Sequence, residues 1–184
     1  MLQKIIFIFL LVILVSCGQE TQPKPYGELR LEYPKPHYKL FNSNSPFTFE
    51  YSDYAEITPA KKKDWYNLSY KKMKANVFIT YFPIHNDFNL HLKEAEKMVY
   101  EHTIKASAID TQSFSYPNHN VFGNFYQLQG QTASNIQFFV TDSTKHFVTA
   151  NLYFNSRPKP DSLAPAIAYI KKDLEHMIST FKWK

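Results

Sequence analysis

The sequence NIQFFVTDSTKHFVTANLYF, residues 135–154, joins two apolar runs through the polar turn Asp142-Ser143-Thr144-Lys145. Aspartate and serine favour turns because their side chains hydrogen-bond to nearby backbone groups. The flanking runs, residues 135–141 and 146–154, are rich in the β-branched and aromatic residues that suit strands. This stretch therefore predicts an antiparallel β-hairpin.

Further strand-like runs precede the hairpin. Phe47, Phe49 and Tyr51 alternate with polar residues, which is the period-two pattern of a half-buried strand. Similar runs separated by polar turns occupy residues 65–70, 75–82, 111–116 and 121–128. Because short turns join antiparallel neighbours, we expect an antiparallel sheet of about six to seven strands.

Two segments have helical periodicity. Between residues 87 and 107 one apolar stripe is predicted, made of Phe88, Leu92, Ala95, Val99, His102 and Ala106. A second helix is predicted to begin with Asp161 or Ser162 as its N-cap, to tolerate Pro165 in its first turn, and to bury Leu163, Ile167, Ile170, Leu174, Ile178 and Phe181. The fold class is therefore α+β, with two amphipathic helices covering the sheet. This element order resembles the domain shared by the PsbP and Mog1 proteins.

The N-terminus has the pattern of a bacterial lipoprotein signal. Lys4 precedes an apolar run that begins at Ile5, and Ser16 precedes Cys17, the only cysteine of the chain. A transmembrane helix is the alternative, but the run is shorter than the ~20 apolar residues needed to span a bilayer. We therefore expect a lipid on the Cys17 sulfur and a membrane-anchored protein.

This pattern also divides the chain. Residues 1–16 are predicted to be a signal peptide, residues 17–28 a lipidated N-terminus and flexible tether, and residues 29–184 a single globular α+β domain. With one cysteine, no intramolecular disulfide can stabilise the lipidated protein. Only one acidic residue, Glu20, closely follows Cys17, which favours a domain that faces the periplasm.

The charge pattern does not favour a nucleic-acid partner. The net charge is +5, and lysines cluster at Lys61, Lys62 and Lys63 and again at residues 71–74. If residues 65–70 form a strand, the two clusters lie roughly 20 Å apart at its opposite ends. We interpret them as solvated surface, although one end is also suited to an anionic membrane surface.

No catalytic or metal site is predicted. Asp142, Ser143 and His146 have the residue types of a hydrolytic triad, but they share one turn and lack a Gly-x-Ser-x-Gly elbow. The seven histidines do not have metal-ligand spacing, since His91 and His102 lie about 16 Å apart along a helix. With four glycines, a phosphate-binding loop is not expected either. We expect no enzyme activity and no cofactor.

Several stretches resemble one known family. Pro23-Lys24-Pro25-Tyr26-Gly27-Glu28-Leu29-Arg30-Leu31-Glu32-Tyr33-Pro34 is similar to the start of the gliding motility lipoprotein GldD family, just after its lipidated cysteine. The resemblance continues through Pro46–Tyr51, His102–Ala106, Ala133–Phe139, Thr141–Phe147, Leu152–Phe154 and Pro160–Pro165, and it extends to Trp183.

The resemblance implies a cell-envelope lipoprotein required for gliding, in bacteria whose gliding apparatus is coupled to type IX secretion. Its lipidated cysteine maps to Cys17. A non-enzymatic accessory or assembly factor is the first hypothesis, with protein partners that include an inner-membrane protein. A module that binds a small ligand or cell-wall fragment is the second, and it requires an apolar pocket. A hydrolase acting through residues 142–146 is the third.

Overall fold

A computed structural model describes residues 31–101, 106–155 and 160–184. Over these residues the chain forms ten strands and two α-helices. The strands are β1 (Tyr38–Asn42), β2 (Phe47–Ser52), β3 (Glu56–Pro59), β4 (Tyr66–Tyr70), β5 (Ala75–Pro83), β6 (Ala106–Tyr116), β7 (Val121–Gly130), β8 (Ser134–Thr141), β9 (His146–Phe154) and β10 (Lys182–Trp183). The helices are α1 (Phe88–Glu101) and α2 (Pro160–Ser179).

Seven strands form one antiparallel sheet in the order β3-β4-β5-β9-β8-β7-β6. Two meanders, β3-β4-β5 and β6-β7-β8-β9, meet where β5 pairs with β9 from Ala75↔Phe154 to Pro83↔His146. Helix α1 connects β5 to the far edge of the sheet, where β6 begins. The predicted hairpin and the α+β class are thus confirmed.

The predicted strand at residues 47–51 exists as β2, but it lies in a second, three-stranded sheet of order β1-β2-β10. Phe47 and Phe49 are fully buried there, as the alternation predicted. The sequence analysis missed β1, β3 and β10. These strands are short and mostly exposed, so they carry almost no periodic signal.

The two helices cover opposite faces of the large sheet. On one face α2 and the small sheet pack on Val148, Ala150 and their neighbours, while on the other α1 packs on Phe147 and Phe139. The period of two along each strand sends alternate side chains to the two cores. Both cores are apolar, so the sheet is buried over much of both faces.

The predicted helix boundaries need correction. Ala106 lies in β6 rather than on the α1 stripe, because pairing with Gly130 extends the edge strand. His102 lies outside the described residues. Asp161 and Ser162 lie inside α2, which already includes Pro160, a residue suited to a first helical turn. Phe181 is buried although it follows the helix. The PsbP/Mog1-like topology stays a prediction.

A buried carboxylate fastens α2 to strands of both sheets. Asp173 is 1 % exposed and accepts hydrogen bonds from the hydroxyls of Tyr38 in β1 and Tyr70 in β4, each at 3.1 Å. Burial raises the pKa of Asp173 above its ordinary value, and the hydrogen bonds from Tyr38 and Tyr70 offset only part of that rise. The folded protein therefore holds a proton at this site more tightly than the unfolded chain does.

Substitution Asp173→Asn is expected to change the pH dependence of stability. Because the pKa is raised on folding, wild type gains stability relative to the variant as pH falls from about 7 towards about 4. Urea unfolding at a series of pH values measures this difference.

Asp110→Asn, at an exposed site on β6, provides the control. The free energy of unfolding of wild type minus that of Asp173→Asn should rise on acidification. A difference that stays constant with pH, or that falls on acidification, would contradict a raised pKa of Asp173.

Candidate functional site

The predicted lipid-attachment residue, Cys17, lies outside the described residues, together with the predicted signal peptide and tether. Its lipidation stays a prediction. In residues 31–101, 106–155 and 160–184, neither helix combines the length and apolarity needed to cross a membrane.

An apolar groove of about 700 Å³ runs between α1 and the large sheet. Its floor is made of side chains from β5 and β9, and α1 forms one wall. The residues that line it are Trp65, Phe78, Thr80, Phe82, Leu90, His91, Glu94, Ala95, Met98, Phe147, Thr149, Asn151 and Tyr153. The volume lies within the range of ordinary small-molecule sites.

The groove exists because one helix cannot cover this sheet. A helix with its side chains is about 10–12 Å wide, whereas seven strands spaced about 4.8 Å apart extend over roughly 29 Å. Helix α1 buries Ala95 and Val99 against Tyr126, Leu128 and other residues near β7–β9. Among the residues that the structure describes, no second helix covers the same face of β4 and β5.

Cross-strand pairs build the floor of the groove. Phe82 of β5 lies opposite Phe147 of β9, and Thr80 lies opposite Thr149. The two threonine hydroxyls hydrogen-bond to each other. This hydrogen bond uses part of the polar capacity of the two hydroxyls within the floor, and the other floor residues are mainly aromatic.

One end of the groove, the aromatic end, is formed by the rings of Trp65, Phe82, His91 and Phe147. The Trp65 indole packs edge-on against Phe82 with centroids 5.8 Å apart and donates from Nε1 to the carbonyl oxygen of Tyr81 at 3.0 Å. His91 stacks between Phe82 and Phe147, at centroid distances of 5.2 and 5.6 Å. Its Nε2 lies 3.4 Å from the Asp87 carboxylate but makes no hydrogen bond within the described residues.

The turn that follows β8 uses its polar side chains for structure. The Asp142 carboxylate accepts the backbone amides of Thr144, Lys145 and His146 at 2.8 to 3.0 Å, and also the Thr144 hydroxyl at 3.1 Å. Burial raises the pKa of Asp142, but these hydrogen bonds outweigh it and lower the pKa below its ordinary value. The carboxylate is therefore held ionised by its own turn.

His146 and Ser143 do not meet as a base and a nucleophile would. His146 Nδ1 is 2.8 Å from the Tyr81 hydroxyl, and its ring stacks on Trp183 at 5.0 Å. Ser143 is exposed, with a positive φ of 65°, and its amide donates to Thr141 Oγ1. Hence the three residues of the hydrolase hypothesis lie close in sequence without forming a triad.

One known protein family matches this chain over most of its length. The family described as gliding motility lipoprotein GldD matches residues 18–183, almost the whole chain. The chain belongs to the gliding motility lipoprotein GldD family. Among curated proteins, no match is found. The resemblance seen in the sequence is thus confirmed, and the family description supports a role in gliding motility and a lipoprotein's attachment to a membrane.

In this GldD-family protein the lysine clusters lie where the sequence placed them, before and after β4. Lys62 Nζ lies 4.5 Å from the Trp65 ring centroid, whereas Lys71 pairs with Glu56 and Lys72 lies 5.5 Å from the Tyr54 ring centroid. Within the described part of the chain, no three His, Cys, Asp or Glu side chains are grouped to hold a metal ion.

Sequence reasoning missed the groove. A signal was present in α1, where Leu90 and Met98 lie beside the apolar stripe and widen it. In the structure they are 56 % and 37 % exposed, so they face the groove rather than the core. The sequence signal for the groove is thus the width of the apolar face of α1, which is larger than the part that the helix buries.

Substitution Asp142→Ala is expected to destabilise the GldD-family domain by about 1–3 kcal/mol, because three backbone amides lose their acceptor. Ser143→Gly is expected to be neutral or slightly stabilising, since glycine adopts positive φ without strain. Urea unfolding of both variants measures the difference. Equal stability of Asp142→Ala and wild type would contradict the structural role of the carboxylate.

Proposed function

We propose that this protein is a membrane-anchored cell-envelope lipoprotein that acts in gliding as a non-enzymatic accessory or assembly factor of the gliding and type IX secretion machinery. The family match over residues 18–183 is the observation that carries the proposal. Lipid on Cys17 holds the domain at a membrane with the domain facing the periplasm, and the domain acts through protein contacts that include an inner-membrane partner.

The contacts that the candidate catalytic side chains make support a non-enzymatic role. Asp142 is committed to its turn, and His146 is engaged by Tyr81 and Trp183. A general base needs a free acceptor within reach of its substrate, and a nucleophile needs that base beside it. Ser143 lacks such a neighbour in the described turn.

A second function, the binding of a small ligand or cell-wall fragment, is favoured by one observation. The groove between α1 and the sheet supplies the large apolar pocket that such a module requires. Its polar side chains, among them His91 and Asn151, offer orientation to a bound molecule. The two functions are compatible in one domain.

Substitution Cys17→Ala tests the anchoring role. Without the sulfur no acyl chain can be attached, so the protein is expected to be lost from the detergent-rich phase in phase partition and cells are expected to lose gliding. Spreading on agar and single-cell movement on glass measure motility, and immunoblotting measures abundance. Crosslinking in intact cells, followed by mass spectrometry, identifies the captured partners.

Ser143→Gly serves as the matched control and is expected to glide normally. The proposal is wrong if Cys17→Ala cells contain normal amounts of the protein and still glide. Loss of gliding in the Ser143→Gly strain, at normal protein abundance, would instead support the hydrolase hypothesis.

A further inference from the structure

We propose that the groove between α1 and the large sheet binds one acyl chain of an anionic phospholipid, whose headgroup lies near Lys61, Lys62 and Lys63. This assignment rests on the small-ligand form of the second function above, whose ligand class it names, and it does not depend on the gliding role. It rests on the polarity of the floor, the length of the groove, its exposed apolar rim and the charge at one end.

The floor favours an occupant without hydrogen-bonding groups. Strands β5 and β9 lie inside the sheet and are paired on both sides, so their backbone groups are not available to an added strand. The hydroxyls of Thr80 and Thr149 already hydrogen-bond to each other, and the other floor residues are mainly aromatic. A peptide or a glycan would bring polar groups into a groove with few partners for them, which is costly, whereas an aliphatic chain brings none.

The length of the groove suits an acyl chain. Its floor follows β9 from Phe147 to Tyr153, which is roughly 20 Å at about 3.3 Å per residue. Half of a bilayer's hydrocarbon core, the depth that one acyl chain fills, is about 15 Å. One extended chain therefore fits along the floor.

Several large apolar side chains at the rim of the groove are unusually exposed to solvent. Phe78 is 41 %, Leu90 56 % and Met98 37 % exposed, and all three line the groove. Exposed apolar surface concentrated at one site is typical of a binding surface rather than of a solvated one. A chain lying between the β5 floor and α1 would cover all three side chains at once.

Positive charge lies at the aromatic end of the groove. Lys61, Lys62 and Lys63 are exposed, and Lys62 Nζ lies 4.5 Å from the ring centroid of Trp65, which lines the groove. Tryptophan suits a boundary between apolar and polar surroundings. Lys62 thus places an ammonium group at this end, and Lys61 and Lys63 adjoin it in the chain, so an anionic headgroup here would meet positive charge while its chain enters the groove.

Two acidic residues, Asp64 and Asp87, lie near this end, but the three lysines outnumber them. The Asp64 carboxylate accepts the Ser45 hydroxyl at 2.7 Å, and the Asp87 carboxylate accepts the His85 amide at 2.7 Å. Glu94 lines the groove one helical turn beyond His91.

Photolabelling of the native lipoprotein tests the proposal. The protein is reconstituted in phosphatidylcholine vesicles that contain a trace of phosphatidylglycerol with a diazirine on its palmitoyl chain, and mass spectrometry locates the adducts after irradiation. Adducts are expected on peptides from β5, β9 and α1. A matched probe with a phosphatidylcholine headgroup is expected to give several-fold fewer groove adducts.

Two sets of variants with matched controls locate the site. Phe78→Gln with Leu90→Gln removes the apolar rim, and Lys61→Gln with Lys62→Gln and Lys63→Gln removes the charge. Each set is expected to reduce groove labelling by about fivefold or more. The control for the rim variant is Leu40→Gln, at an apolar residue 62 % exposed on β1. The control for the charge variant is Lys71→Gln with Lys72→Gln and Lys74→Gln. Both controls are expected to be labelled as wild type is. All changes are at exposed positions, and thermal unfolding checks that the fold is kept.

Three results would overturn the proposal. Adducts spread evenly over the protein surface would show that the groove is not the binding site. Equal labelling by the phosphatidylglycerol and phosphatidylcholine probes would show that the site does not prefer an anionic headgroup. Labelling unaffected by the rim variant would show that the chain does not lie there. Each readout comes from vesicles without cells, so failure here and failure of the gliding role are distinguishable.

Discussion

The pairing of β5 with β9 holds the two halves of the large sheet together. Nine consecutive residue pairs join the two meanders, and without them β3-β4-β5 and β6-β7-β8-β9 would be separate sheets. Because the side-chain period is two, the register of this ladder also decides which residues face α2 and which face α1. A slip by one residue would exchange Val148 with Phe147 and disrupt both cores together.

The two faces of this ladder are covered unequally, and that inequality generates the candidate site. One face is covered by α2 and by a whole second sheet, with Asp173 and its tyrosine partners linking the layers. Within the described part of the chain, the other face is covered by α1, a helix of 14 residues that lies between β5 and β6. The uncovered part of the floor is apolar because alternation in β5 and β9 places Phe78, Phe82 and Phe147 there.

The sequence predicted the elements whose signal is local. Alternation predicted β2, and strand-like runs between polar turns predicted β4 to β9. The Asp142 turn was found from its residue types, and the stripe through Phe88, Leu92, Ala95 and Val99 predicted α1. The separate small sheet could not be predicted, since β1 and β10 are defined by their partners rather than by a pattern. The groove was missed for the same reason: it depends on the width of a helix relative to a sheet. Cys17 rests on the signal pattern alone.

The ladder between β5 and β9 also has a consequence for the order of folding. The segment from Ile84 to Lys145 separates the two strands, so their contacts are the most distant in sequence within the seven-stranded sheet and cannot form until β9 has been made. Chains emerge from the ribosome starting at the N-terminus. Strand β5, with the apolar Val77 and Ile79, therefore has one unpaired edge while residues 84–145 are made. An edge of this kind is a template for wrong pairing between chains, and a slow, chaperone-assisted folding step is the expected result.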